Sequence, residues 1–210
     1  MSGKKGFFRS LRKSYDRARY ERRYLSGIRL GRYVLPPQSV KMRVLEENVP
    51  APRPNVFIET GTYHGDTVAE MKSRYGKVVS IEIDRDLHEK ARERFRDDPH
   101  VVLVFGDCAR ELPKILDRLG EPAVFWLDGH WSGAGTGRGE VTDPILLSLE
   151  QIGSHPVREH AIFIDDARCF DGREDRPDIV DVLARLRAIH PGYRIRILND
   201  IVIATLVPSP

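Results

Sequence analysis

The feature that most constrains this chain is an alternation. Five short apolar runs, at 55–59, 78–82, 101–105, 123–128 and 161–165, are separated by stretches of helical periodicity at 65–75, 87–96, 109–119 and 144–152. Continuous apolar strands alternating with helices predict a parallel sheet covered on both faces, because a strand buried on both sides shows no polar face. An amphipathic stretch over 178–189 follows, and then two alternating runs, 193–198 and 201–206, around Asn199-Asp200. Both turn residues tolerate positive φ, which predicts an antiparallel hairpin. The chain therefore reads as α/β, with five parallel strands closed by a terminal hairpin.

Every one of the five runs finishes in a carboxylate: VFIE at Glu59, VSIE at Glu82, VFGD at Asp107, FWLD at Asp128 and FIDD at Asp165 and Asp166. In open α/β sheets the ligand crevice lies beyond the carboxyl ends of the strands, so these acids converge on one rim. A second reading stays open for each of them, since Asp and Glu at strand ends also cap the helix that follows. The first turn, Glu59-Thr60-Gly61-Thr62-Tyr63-His64-Gly65, has glycines where the backbone must turn tightly and approach a ligand. Its spacing is not G-x-G-x-x-G, and a carboxylate beside the turn suits a positively charged ligand better than a pyrophosphate. Glu82 ends the next run, where an acid can accept both hydroxyls of a ribose. S-adenosylmethionine, with its sulfonium and ammonium groups, meets that demand.

From about residue 55 to 206 the sequence resembles the class I S-adenosylmethionine-dependent methyltransferases, on ETGTYHG, SIEID and FGD in order, followed by the hairpin. The resemblance implies a Rossmann-like seven-stranded methyltransferase sheet. It also implies that Glu59, Gly61, Thr62, Tyr63 and Gly65 line the methionine end of the cofactor. Glu82 would then bind the ribose, and Asp107 and the Cys108 backbone would lie near the adenine. FWLDGHW and FIDDAR are similar to the ends of the fourth and fifth strands in catechol-type and macrolide-sugar O-methyltransferases. That likeness implies a magnesium ion held by Asp128, Asp165 and Asp166, and three hard carboxylate oxygens suit Mg²⁺ or Ca²⁺ better than zinc. Against it, successive strand residues face opposite ways, so Asp165 and Asp166 converge only if the strand ends between them, and one of them could pair with Arg168 instead.

His130 is the candidate general base, two residues past Asp128. Catechol-type enzymes use a lysine near this place, and this chain has none after Lys114. A substrate hydrogen-bond role for His130 therefore stays open, whereas His64 reads as structural. The five-glycine stretch GHWSGAGTGRG over 129–139 reads either as a lid or as a plain surface loop, with Arg138 and Glu140 within reach of substrate.

The net charge of +3 hides a split. Residues 1–35 carry eleven Lys and Arg against Asp16 and Glu21, a net +9, and the other 175 residues carry 23 basic and 29 acidic side chains, a net −6. The expected organisation is a basic helical arm over 1–50 and a cofactor-binding domain over 51–210, with Pro50, Pro52 and Pro54 marking the boundary. Three roles are open for the arm: a lid or homo-oligomer contact, an anchor for an anionic partner such as nucleic acid or membrane, or partial disorder. No run reaches the roughly 18–20 apolar residues of a membrane span, the N-terminus lacks the apolar core of a secretory signal, and two cysteines make no disulfide framework. A cytoplasmic protein is expected.

Together these readings predict an O-methyltransferase acting on a small hydroxylated acceptor. The alternatives are an RNA methyltransferase, for which the absence of an N/D-P-P-Y motif disfavours amino-group targets, and a cofactor-binding scaffold without chemistry.

Overall fold

The computed structural model describes residues 16, 18–129, 144–173 and 176–207. The chain divides into two compact units, Met1–Glu47 and Asn48–Pro210. In the first, helix α1 covers 18–29 and stops in a Schellman-type turn, where the Arg32 N–H donates to the Gly27 carbonyl and the Gly31 N–H to that of Ile28, both at 2.9 Å. Helix α2 (Gln38–Asn48) follows, and its Ser39 hydroxyl donates to the Glu21 carboxylate of α1.

The second unit is built on a seven-stranded sheet in the order β3-β2-β1-β4-β5-β7-β6. Strands β1 (Val56–Thr60), β2 (Lys77–Glu82), β3 (Val101–Phe105), β4 (Ala123–Leu127) and β5 (Ala161–Ile164) are parallel. β6 (Tyr193–Leu198) and β7 (Ile201–Leu206) form the hairpin, and β7 inserts antiparallel between β5 and β6. The turn residues Asn199 and Asp200 adopt φ 50° and 68°, the left-handed pair of a type I′ turn.

Among the described residues, helices α3 (Asp66–Met71), α4 (Arg85–Arg94), α5 (Cys108–Leu116), α6 (Ile145–Ser154) and α7 (Ile179–Ile189) accompany the sheet. Alternation along the strands sends Ile58, Ile81, Phe125 and Ile164 into one fully buried cluster with Leu112, Leu149 and Leu186 of α5, α6 and α7. Removing a side chain such as Leu149 to alanine would cost about 2–5 kcal/mol. The same alternation puts Glu59, Ser80, Glu82, Trp126 and Phe163 on the other face, with Glu59 in register beside Ser80 of β2 and Trp126 of β4. The predicted helix over 65–75 is shorter in the structure: α3 ends at Met71, and the chain turns back so that the Gly76 N–H meets the Asn55 side-chain oxygen at 3.2 Å.

From β1 the chain winds one way through β2 and β3, and from β4 it winds the other way through β5. The order reverses between β1 and β4, so the crevice of this sheet opens beyond the carboxyl ends of those two strands.

Candidate functional site

The turn after β1 stands at that reversal. Gly61 has φ 89°, and a Cβ there would lie 2.6 Å from the Asp128 carbonyl oxygen, so the chains leaving β1 and β4 approach as closely as backbone allows. Gly65 has φ 72° and a Cβ there would lie 2.7 Å from the Phe95 ring. Both positions require glycine sterically and conformationally.

Behind the turn, Glu59 is 1% exposed. Ser80 Oγ donates to its Oε2 at 2.6 Å, and Thr62 Oγ1 lies 2.6 Å from Ser80 Oγ. Because Ser80 spends its proton on Glu59, Thr62 is the donor of the second bond, and the relay runs Thr62 to Ser80 to Glu59. Burial pushes the Glu59 carboxyl up to about 8, against hydrogen bonds from Ser80 and Thr67 that lower it; the nearby Glu82 adds to the rise. This carboxyl is therefore largely protonated at neutral pH when no cation lies beside it.

Glu82 holds the shape of the same loop. Its Oε2 accepts from the Tyr63 N–H at 2.7 Å and its Oε1 from the Asp84 N–H at 2.9 Å. A carboxylate offers about four lone-pair directions, so both oxygens retain acceptor capacity for ligand hydroxyls. Tyr63 pays for its place with a positive φ of 48°, and its exposed ring stacks on His64 at 3.9 Å between centroids. Asp84 caps α4 by accepting from the Leu87 N–H at 2.9 Å.

At the neighbouring strand ends the acids have divided roles. Asp107 caps α5, accepting from the Ala109 N–H at 2.9 Å. Cys108 is buried at the start of that helix, its thiol pushed up to about 12 by burial and by Asp107, which excludes it as a nucleophile near neutral pH. It borders the β4 exit: a Cβ on Gly129 would lie 3.5 Å from Cys108 Sγ. The Asp128 N–H bonds to Thr60, to its carbonyl and its Oγ1, both at 3.2 Å. This fixes where the Asp128 residue leaves the sheet.

The magnesium triad expected from the sequence does not assemble. β5 ends at Ile164; Asp165 is buried, and its Oδ1 accepts the Asp166 N–H at 2.8 Å. Asp166 takes a left-handed φ of 56° and turns its carboxylate to Arg168, 2.6 Å away, and Arg168 also pairs with Asp200 of the hairpin turn. Among the described residues no three His, Cys, Asp or Glu side chains come close enough to hold a metal ion. Asp128, Asp165 and Asp166 are thus not gathered as one ligand set, because the left-handed residue diverts the third acid into an ion pair. His130, Arg138 and Glu140 lie outside the described residues.

The structure adds Ser80 and Thr67 to the site, both absent from the sequence prediction. Ser80 left a signal in the sequence: a hydroxyl inside the apolar run VVSIE, two residues before Glu82 and so on the same face of the strand.

Parallel β1–β5 in this order, an antiparallel β7 between β5 and β6, and a glycine turn at the β1/β4 reversal decide the architecture. This is the class I methyltransferase fold. Solved structures of that fold agree. The O-methyltransferase of Bacillus cereus in complex with S-adenosylhomocysteine superposes with a TM-score of 0.53 at 15% identity, covering 82% of this chain and 93% of its own. The 23S rRNA methyltransferase ErmE gives 0.55 at 17% identity, covering 85% and 71%. In sequence, the ribosomal RNA small subunit methyltransferase A of Caldanaerobacter subterraneus subsp. tengcongensis is 40% identical over 50 residues, 24% of this chain. That match spans only 19% of the relative's length. No family model matches. Among the described residues, no helix of this methyltransferase-fold chain is long and apolar enough to cross a membrane.

Proposed function

We propose that this protein is an S-adenosylmethionine-dependent methyltransferase whose acceptor is a hydroxyl of a small molecule, such as a sugar, a phenol or a natural-product intermediate. The observation that carries the reading is Glu59: a carboxyl buried beside a glycine turn at the sheet's reversal and raised to about 8. Burial makes such a group costly to ionise, and a ligand cation at its side reverses that cost. A ligand with an ammonium group and a ribose finds both complements here, Glu59 for the cation and Glu82 for the hydroxyls.

In this reading Glu59, Gly61, Thr62, Tyr63 and Gly65 hold the methionine end, Glu82 the ribose, and Asp107 with the Cys108 backbone the adenine side. When bound, S-adenosylmethionine supplies an electrophilic methyl carbon on a sulfonium. The chain supplies orientation and proton handling. Asp128 binds and aligns the acceptor hydroxyl, and His130 accepts its proton; positioning an acceptor in line is the largest lever available for a displacement of this kind. Among the described residues no three acids gather as a ligand set, so no step is routed through a magnesium ion.

The acidic rim supports a small acceptor. Glu82, Asp128 and Asp165 border the crevice, and a field of that sign repels a phosphate backbone. An RNA acceptor is the second reading, favoured by the short match to a ribosomal RNA methyltransferase. Two measurements test the proposal. Calorimetry with S-adenosylhomocysteine should give saturable binding, and its absence would overturn the cofactor assignment. Methyl-labelled cofactor should then label small hydroxylated acceptors; label appearing only in ribosomal RNA would transfer the reading to the second class.

A further inference from the structure

We propose that α1 and the segment after it dock on an anionic lipid surface, making this a peripheral membrane protein. The α1 helix is two-sided. Arg19, Arg22, Arg23 and Arg29 recur at spacings of three, four and seven, and Tyr20, Tyr24, Gly27 and Ile28 recur at four, seven and eight on the other side. Tyr24 and Gly27 are buried, whereas Tyr20, Leu25 and Ile28 are 61%, 53% and 50% exposed. The same character continues past the helix, where Leu30, Tyr33 and Leu35 are 64%, 69% and 53% exposed beside the exposed Arg32. Six large apolar side chains thus stand in water along 16 residues, in the most basic part of the chain.

Charge and chemistry select the occupant. A second copy presenting residues 18–35 would bring +4 against +4, which opposes self-pairing. RNA would answer the arginines but leave Leu25, Ile28, Leu30 and Leu35 without a partner, because a phosphate backbone offers aliphatic side chains nothing. An anionic bilayer interface answers both: headgroups meet the arginine side, the acyl boundary takes the aliphatic groups, and tyrosine favours the interfacial depth. Each basic residue near such a surface raises partitioning about fivefold, so the arm's charge alone gives substantial attraction.

The full-length chain is to be sedimented with vesicles of phosphatidylcholine, or of phosphatidylcholine with about 30% phosphatidylglycerol. Binding is expected to the second kind only, at least tenfold over the first. Ile28→Asp and Ser26→Asp make the same charge change one turn-side apart. Ile28→Asp should lower binding at least tenfold more than Ser26→Asp, and Leu30→Asp, which lies outside the helix, should repeat the loss without disturbing helicity. A Tyr33→Trp variant should show blue-shifted emission with anionic vesicles. Equal losses for Ile28→Asp and Ser26→Asp, no binding to anionic vesicles, retention on RNA in their place, or an arm-dependent dimer by light scattering would each overturn the proposal.

Discussion

Glu59 makes a quantitative demand on ligand binding. Its carboxyl is raised by burial from the ordinary 4.5 to about 8, so at pH 7 roughly nine molecules in ten carry the proton. A ligand ammonium beside it favours the charged form and lowers such a pKa by roughly 1–3 units. If the ammonium lowers it by about 2, binding at pH 7 releases roughly 0.8 proton, and affinity tightens about fivefold per pH unit between about 6 and 8. Stability of the ligand-free protein runs the opposite way. The folded ligand-free state favours protonated Glu59, so its stability contribution is complete below 4.5 and is lost as pH rises through about 8. The assay is calorimetric titration with S-adenosylhomocysteine at pH 7 in phosphate and in Tris. The slope of observed enthalpy against buffer ionisation enthalpy counts the protons, and Glu59→Gln should flatten it. Binding with identical enthalpies in both buffers would refute the charge argument, whereas no binding at all would refute the cofactor assignment instead.

Three further outcomes are expected. Gly61→Ala places a Cβ 2.6 Å from a backbone oxygen at a φ of 89°; it should cost about 1–3 kcal/mol, read as a fall of several degrees in Tm, and weaken S-adenosylhomocysteine at least tenfold. Methyl transfer should be unchanged by EDTA, since the described acids form no three-ligand set; a loss restored by Mg²⁺ would show that acids outside the described residues complete one. His160, buried against His155 with its Nδ1 accepting from the Ala123 N–H, is lowered from 6.5 to about 4, first by burial and then by His155, with Glu159 opposing. Its folded pKa lies below the unfolded one, so its contribution is complete above pH 6.5 and is lost as pH falls toward 4, on the order of 3 kcal/mol. Melting curves of His160→Gln should therefore depend less on pH across that window than those of the parent, and parallel curves would reject the assignment.

The fold was legible because its information is local. The hairpin strands end where the alternation ends, and Asn199-Asp200 supplies the turn its backbone needs. The glycine turn and Glu82 were legible for the same reason, since their spacing within one strand–turn–helix unit places them. The fate of Asp166 was not. Its ion pair with Arg168 is shared with Asp200, an acid brought alongside only when β7 pairs with β5. Asp107 shows a different limit: one residue type serves as a helix cap and as a site acid, and only the hydrogen bond to Ala109 shows that its carboxyl does the first.

The position of β7 has a consequence for assembly. It is the last of the seven strands in chain order, yet it lies inside the sheet, and every residue from Ile201 to Thr205 is buried. Until it arrives, β5 presents an open apolar edge and β6 has nothing to pair with. During synthesis the first five strands can therefore associate as local β–α units while the sheet remains unfinished, and the step that closes it must wait for the hairpin to emerge from the ribosome. The nascent chain is most exposed to misassociation at the unpaired edge of β5 during that interval.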